Sequence, residues 1–431
     1  MSMSLILLLS VCVLLAIGVP VGFSLGVATA FAVVAVGKYP MLVVLKETFT
    51  GIDSFPLMAV PFFILAAELM SGGALTEVLL RFAGQFVGHK RGGIGYTNII
   101  SLTFFSGISG SALADAAGPG SMLIKMMDKA GYGRAYAGAL TASTAIVGPI
   151  IPPSIIMIIY GLQDENVSVG ALFVAGFIPG IVIALAMALV NWSVSKQRNY
   201  KSDEPMPALA VILSNTWRAI PALMLPVLIL GGMRAGWFTP TEASVVAVFY
   251  ALLCGLFLYR TLAFANLPAI LARSALLTAS VLIIIGFSAC FAWVLTIERL
   301  PQLAADLITS WQLSPWMLLI VINLFLLLVG IFIEPLPAVM VLVPILGPVA
   351  AAAGIDPIHF AMVVIYNLTL GMITPPVGGL LFVTSNVAKI PLAALTRELK
   401  PFLYAHACVL ILLTFIPAIS TWLPNLLGFK Y

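Results

Sequence analysis

An apolar stretch interrupted by a pair of prolines occurs twice in this chain, and it limits the possible folds more than any other feature. The first copy reads TASTAIVGPIIPPSIIMIIYG and the second YNLTLGMITPPVGGLLFVTSN. Gly148 and Gly371 lie 223 residues apart, and the same offset carries Pro152 onto Pro375 and Pro153 onto Pro376. That is about half of the 431 residues. A proline pair lacks two N–H donors and its rings clash with earlier carbonyls, so a helix does not run through it. Hydrophobic residues make up 62% of the chain and charged residues 8%, and several apolar runs reach membrane-spanning length. This excludes a soluble globular fold and predicts an all-α polytopic membrane protein. Each copy is then a membrane helix broken near its middle. Unpaired backbone at membrane depth is tolerated only when buried in protein or facing a wet cavity. Broken helices in matching halves point to the binding site of a secondary transporter.

Taken in order, Met3 to Ala16 and Pro20 to Val36 read as two short spans, and Ser54 to Met70 as a third. The N-terminus has no basic n-region and reads as a retained span. Leu75 to Phe86, with Arg81 and followed by His89, Lys90 and Arg91, reads as an amphipathic interfacial helix. Residues 98–127, interrupted by SGISGSALADAAGPGS, are predicted to be a re-entrant hairpin, and residues 135–162 the first broken helix. Val169 to Val194 is another span. Residues 1–194 thus form a first repeat, and the polar stretch 195–217 a cytoplasmic linker. Residues 218–431 repeat the order: spans at Ile220–Gly232, Glu242–Leu258 and Ala275–Thr296, an interfacial helix at Leu300–Ser310, a hairpin at 315–353, a broken helix at 359–388 and a closing span at Pro401–Leu423. Cys12, Cys254, Cys290 and Cys408 lie far apart in apolar runs, and the three histidines lack ligand spacing, so neither disulfide nor transition-metal chemistry is expected.

Charge orients this layout. An odd number of crossings per half makes the repeat inverted. With the ends of the first hairpin in the cytoplasm, fifteen Lys and Arg residues fall inside and only Lys38, Lys46, Arg234, Arg299 and Lys430 outside. This is a strong positive-inside bias. Both termini then lie outside, and the two hairpins enter from opposite faces.

Two acids mark the hairpin tips, Asp115 in SGSALADAAG and Glu334 in FIEPLPA. A charged side chain at membrane depth usually serves a cation, a proton relay or a helix N-terminus. Ser106, Ser109 and Ser111 sit among glycines at the first tip, where hydroxyl and carbonyl oxygens suit a hard cation such as sodium. Their plainer role is close helix packing. Thr144 precedes the first break, Asn367 the second; Thr374 lies inside the second and Ser385 follows it. Ser111, Asp115, Thr144, Asn367, Thr374 and Ser385 are the candidate substrate contacts. Half-helix N-termini suit a substrate carboxylate and C-terminal carbonyls suit a cation. Lys125, on the return arm of the first hairpin, reads as snorkelling to the interface.

These segments, with GVPVGFSLG, PLMAVPFFILAAELM, FTPTEASVVAVFYA and PAISTWLPNLLG, make the chain resemble the large membrane subunit of the tripartite ATP-independent periplasmic (TRAP) transporters over essentially its whole length. The resemblance implies an elevator-type ion-transporter fold in the bacterial inner membrane. It implies sodium-driven import of an organic acid, a C4-dicarboxylate or sugar acid. It also implies two partners: a small four-helix membrane subunit and a periplasmic substrate-binding protein. Nucleic acid plays no part. Sodium ions are the coupling ions and no other cofactor is implied. Carried onto this chain, the sodium sites are Ser106, Ser109 and Ser111 with Gly148, and Glu334 with Gly371 and Thr374. Two alternatives stand beside this reading. One is proton coupling through Asp115 or Glu334. The other is an intramembrane serine protease built on Ser109 in a GxSG pattern with His406 as base, although no enzyme is expected.

Overall fold

A computed structural model describes residues 2–70, 73–201, 205–303, 306 and 313–429. Among these residues every regular element is helical. The α-helices are α1 (Met3–Ala16), α2 (Val21–Val36), α3 (Leu42–Ile52), α4 (Ala59–Met70), α5 (Gly73–Val87), α6 (Gly93–Ser109), α7 (Ala112–Ala117), α8 (Pro119–Lys129), α9 (Arg134–Ala145), α10 (Ile155–Gln163) and α11 (Val169–Ala175). They continue with α12 (Phe177–Gln197), α13 (Leu209–Arg234), α14 (Pro240–Leu253), α15 (Leu267–Ile297), α16 (Pro315–Phe332), α17 (Pro335–Ala352), α18 (Pro357–Gly371), α19 (Gly379–Ala388), α20 (Leu392–Phe415) and α21 (Ala418–Leu426). Among the described residues seven helices are long and apolar enough to cross a membrane, or eight if a bent pair counts as one span.

Helix ends follow local chemistry. Ser111, Ser154 and Ser314 cap α7, α10 and α16 with their hydroxyls. Proline opens α8, α14, α16, α17 and α18, where its missing N–H has no intrahelical partner to lose. Thr239 and Glu242 complete a reciprocal capping box on α14.

Two regions differ from the sequence reading. The third span starts where expected, with Ser54 at the N-cap position of the 3-10 turn that runs into α4, but it is not preceded by a plain loop. Helix α3 precedes it, and the pair is bent by 61°. Lys46 and Glu47 dilute the apolar pattern of α3, Asp53 follows its end, and Pro56 restarts the chain in a short 3-10 turn. The span expected at Ile220 instead begins at Leu209 and runs through Pro221 and Pro226. Tyr259 repairs the opened turn. Its hydroxyl donates to the Arg218 carbonyl at 2.8 Å and accepts from the Ala222 amide at 3.1 Å, the two groups that would otherwise bond each other. Of the interfacial helix expected at Leu300–Ser310, only 300–303 and 306 lie within the described residues.

The helical order brings distant parts of the chain together. Helix α6 lies along α8 through the short α7, and α16 lies along α17. The two halves interlock: α7 packs on α19, and α10 packs on α17. Helix α9 is buried along its length and contacts α6, α8, α19 and α20. Helices α2, α3, α4 and α14 pack with α15 or with each other, and they meet the first set where α15 touches α17 and α4 touches α6 and α10. At the start of α6, Asn191 of α12 donates to the Gly92 carbonyl at 3.1 Å and accepts from the Tyr136 hydroxyl at 2.9 Å. The Tyr200 ring stacks on Tyr132 with centroids 4.1 Å apart, and its carbonyl accepts from the Gly92 amide at 2.9 Å. The first residues after α12 are therefore pinned to the base of α6.

Candidate functional site

Helix α6 ends at Ser109, and Gly110 takes a left-handed conformation with φ +60°. A Cβ there would stand 2.3 Å from the Pro153 carbonyl oxygen, so the tip closes directly onto the break between α9 and α10. Ser111 caps α7 through the Ala114 amide at 3.4 Å. One turn on, Asp115 is fully buried. Its carboxyl accepts from the Ser109 hydroxyl at 2.5 Å, and the Ser106 hydroxyl lies 3.3 Å from its other oxygen. Gly148 meets this cluster from the break. A Cβ on it would lie 2.9 Å from Asp115 Oδ2 and from the Ala112 amide. Ser106, Ser109, Ser111, Asp115 and Gly148 are thus brought into one oxygen-rich cluster, a donor set of the kind a hard cation takes.

The second tip is built differently. Glu334 caps α17 by backbone position, is exposed, and makes no side-chain cap bond. Gly371 at the end of α18 packs against Gly330 of α16, backbone on backbone. The Gly378 amide donates to the Ile331 carbonyl at 3.3 Å. The Thr374 hydroxyl, in the break, donates to the Leu370 carbonyl at the end of α18 at 2.9 Å.

Between the tips lies a cavity of about 480 Å³. Residues 109–114 and Glu334, Pro335 and Leu336 form one side of its lining. Ile64, Ala67 and Glu68 of α4, and Leu277, Ser280, Val281 and Ile284 of α15, form another. Ile155, Ile156 and Met372 complete it together with Pro149. Glu334, Ser280 and Ile284 also line an adjoining cavity of about 400 Å³ that reaches Pro20 to Phe23. Among the described residues the polar side chains lining the main cavity are Glu68, Glu334, Ser109, Ser111 and Ser280, with no Lys or Arg. Arg273 stands one step back, its Nε 3.1 Å from Glu68 Oε2. The N-terminal turns of α10 and α17 open into the cavity and supply partial positive charge there.

Of the candidate substrate contacts, Ser111 lines the cavity, whereas Asp115, Thr144, Asn367, Thr374 and Ser385 lie off its lining. Thr144 and Asn367 are fully buried, and the Thr144 hydroxyl and Asn367 Oδ1 have no hydrogen-bond partner among the described residues. Asn367 donates to Asn323 Oδ1 at 2.6 Å, and the Ser385 hydroxyl donates to the Ile390 carbonyl at 2.6 Å. Lys125 is exposed on α8. The Ser109–His406 pairing does not form. Ser109 donates to Asp115, while His406 holds the Tyr366 hydroxyl on Nδ1 at 2.8 Å and the Ser143 carbonyl on Nε2 at 3.1 Å. A carbonyl only accepts, so Nε2 carries the proton. Sequence reasoning passed over Glu68 and Ser280, which sit on spans that read as plain scaffold. The signal for Glu68 was a lone acid at the end of the apolar run FFILAAELM.

Known proteins give this geometry a context. A sequence model of the tripartite ATP-independent periplasmic transporter, DctM component, matches residues 8–419. The chain is 42% identical to the sialic acid TRAP transporter large permease SiaM of Vibrio cholerae, over 96% of each chain. It is 38% identical to the C4-dicarboxylate TRAP transporter large permease DctM of Pseudomonas aeruginosa, over 94% of each. It is 37% identical to the 2,3-diketo-L-gulonate TRAP transporter large permease YiaN of Escherichia coli, again over 94% of each. In fold it resembles the crystal structure of the YdaH transporter of Alcanivorax borkumensis, with a TM-score of 0.60 at 15% identity over 90% of this chain and 88% of that one. This multi-pass membrane protein is therefore a transport protein rather than an enzyme, and it belongs to the family of large permease components of TRAP transporters.

Proposed function

We propose that this chain is the large permease of a sodium-coupled importer of an organic acid, working by an elevator movement in the bacterial inner membrane. The observation that carries the proposal is the cavity between the two tips and the α4–α15 face. One side belongs to α6–α10 and α16–α19, which interlock across the halves. The other side belongs to α4 and α15, whose main packing partners are α14, α3 and α2. A site on such a seam changes its exposure when one group slides past the other.

In this reading residues 98–162 and 315–388 move as a unit, as an inverted repeat with re-entrant hairpins, while the remaining spans stay in place. Sodium binds first, at Ser106, Ser109 and Asp115 beside Gly148, and near Glu334 where Gly371 and Thr374 form the second break. It neutralises the tips and completes the site for an anion. The substrate carboxylate is then met by Ser111, by the N-terminal turns of α10 and α17, and by the bound ions, since among the described residues no cationic side chain lines the cavity. Relatives named for sialic acid, C4-dicarboxylate and 2,3-diketo-L-gulonate support an organic acid as substrate. A small four-helix membrane subunit and a periplasmic binding protein that delivers the substrate complete the system.

The test is uptake into proteoliposomes holding the full chain with its cognate small subunit and binding protein. Sodium and pH gradients are imposed separately, against a panel of labelled dicarboxylates and sugar acids. Uptake driven by inward sodium alone is the expected result. Uptake driven only by protons would overturn the sodium sites and move coupling to Asp115 and Glu334.

A further inference from the structure

A larger groove, of about 800 Å³, lies away from the cavity between α12 and α20. Val182, Leu185 and Leu189 of α12 face Val409 and Leu412 of α20 along its length, and Arg198, Arg397 and Glu398 close one end. We propose that this groove holds an anionic phospholipid, one acyl chain lying along the apolar walls and the headgroup phosphate on the arginine end.

The polarity of the groove is graded from end to end, as the polarity of a lipid is. Leu185 and Leu189 are 60% and 68% exposed, so the wall needs an apolar cover that the described chain does not provide. The membrane level is marked beside the polar end. Trp192 is exposed, and the Lys196 ammonium sits 5.4 Å from its ring centroid. An exposed Trp and a Lys at one helix end are typical anchors at the headgroup boundary. Arg198 follows within the same turn. On the positive-inside assignment this end faces the cytoplasmic leaflet, whose anionic lipids attract basic pockets between spans.

Charge then selects the headgroup. Arg198, Arg397 and Glu398 line this end, and Lys196 and Lys400 lie within three residues of them along the chain. Arg198 is bound to Glu398 at 2.7 Å. Arg397 makes no ion pair among the described residues and is exposed at the rim of the groove. A guanidinium presents two parallel donors to a phosphate, so Arg397 is the specificity-determining contact and Arg198 the supporting one. A zwitterionic lipid brings its own cation to the same place and gains less.

Native mass spectrometry of the detergent-purified full chain, titrated with phosphatidylglycerol or phosphatidylcholine, tests this. Phosphatidylglycerol is expected to be retained at lower concentration than phosphatidylcholine, and Arg397→Gln should weaken its retention about fivefold. Arg397→Lys should restore part of the preference, and Leu189→Trp, which fills the groove, should lower retention of both lipids. Equal retention of the two lipids, or an unchanged preference in Arg397→Gln, would overturn the proposal. So would loss of bound phosphatidylglycerol when the cognate small subunit is added, because the groove would then belong to a protein helix.

Discussion

Replacing Gly371 with alanine tests the backbone contact between the second break and α16. A Cβ at Gly371 would stand 2.3 Å from the Gly330 carbonyl carbon, 2.4 Å from its oxygen and 2.5 Å from its Cα. Ordinary contact begins near 3.4 Å, so the two backbones must separate by about 1 Å. Both partners are glycine backbone, so no flexible side chain can yield. Overpacking of this kind costs roughly 1–3 kcal/mol, and the helix-propensity gain of Gly→Ala returns at most about 1 kcal/mol. The net expectation is destabilisation of about 1–2 kcal/mol, with loss of uptake because the break is displaced. Gly231→Ala is the matched control. It lies inside α13, where an added Cβ meets nothing within 4 Å. The same chemical change there should be neutral or stabilising by up to about 1 kcal/mol. Thermal unfolding in detergent and initial uptake rates compare the two. If Gly371→Ala melts and transports like Gly231→Ala, the close approach is not a constraint and the reasoning fails.

Three further outcomes are expected. Ser109→Ala removes a donor from the fully buried Asp115 carboxyl; stability should fall by about 1–3 kcal/mol and half-maximal uptake should need more sodium, whereas Ser109→Thr should keep both near the parent values. Tyr366→Phe leaves His406 Nδ1 without its donor inside the core, at a cost of about 1–3 kcal/mol in the thermal unfolding assay, while Tyr404→Phe, on an exposed side chain, should cost nothing measurable. Glu68→Gln breaks an ion pair with the largely exposed Arg273, so stability should change by less than about 1 kcal/mol. Yet Glu68 lines the cavity, so the substrate concentration for half-maximal uptake should shift by about threefold or more; a melting shift with unchanged uptake would assign Glu68 a structural role only.

That this is an all-helical, membrane-spanning transporter of the TRAP family could be read from the residues alone. Apolar run length and the scarcity of charge decide whether a segment can leave water, and both are properties of local sequence. The helix stops at Ala145 and Gly371 were legible for the same reason, because the prolines that follow cannot be accommodated whatever surrounds them. Helix α3 and the true start of α13 were not legible. Polar residues blur the pattern in the first, and a distant hydroxyl from Tyr259 repairs the second. The cavity was legible only in part. Ser109, Ser111 and Glu334 stand out because polar groups are rare at such positions. Whether a side chain faces a cavity, as Ser111 does, or is spent on a local carbonyl, as Ser385 is, depends on which helix packs against it. Glu68 and Ser280 are placed opposite the tips by the packing of α4 and α15, and Asp115 is enclosed by Gly148 from the break beyond α9. Those juxtapositions join residues far apart in the chain, so they arise from helix packing and leave no local mark in the sequence.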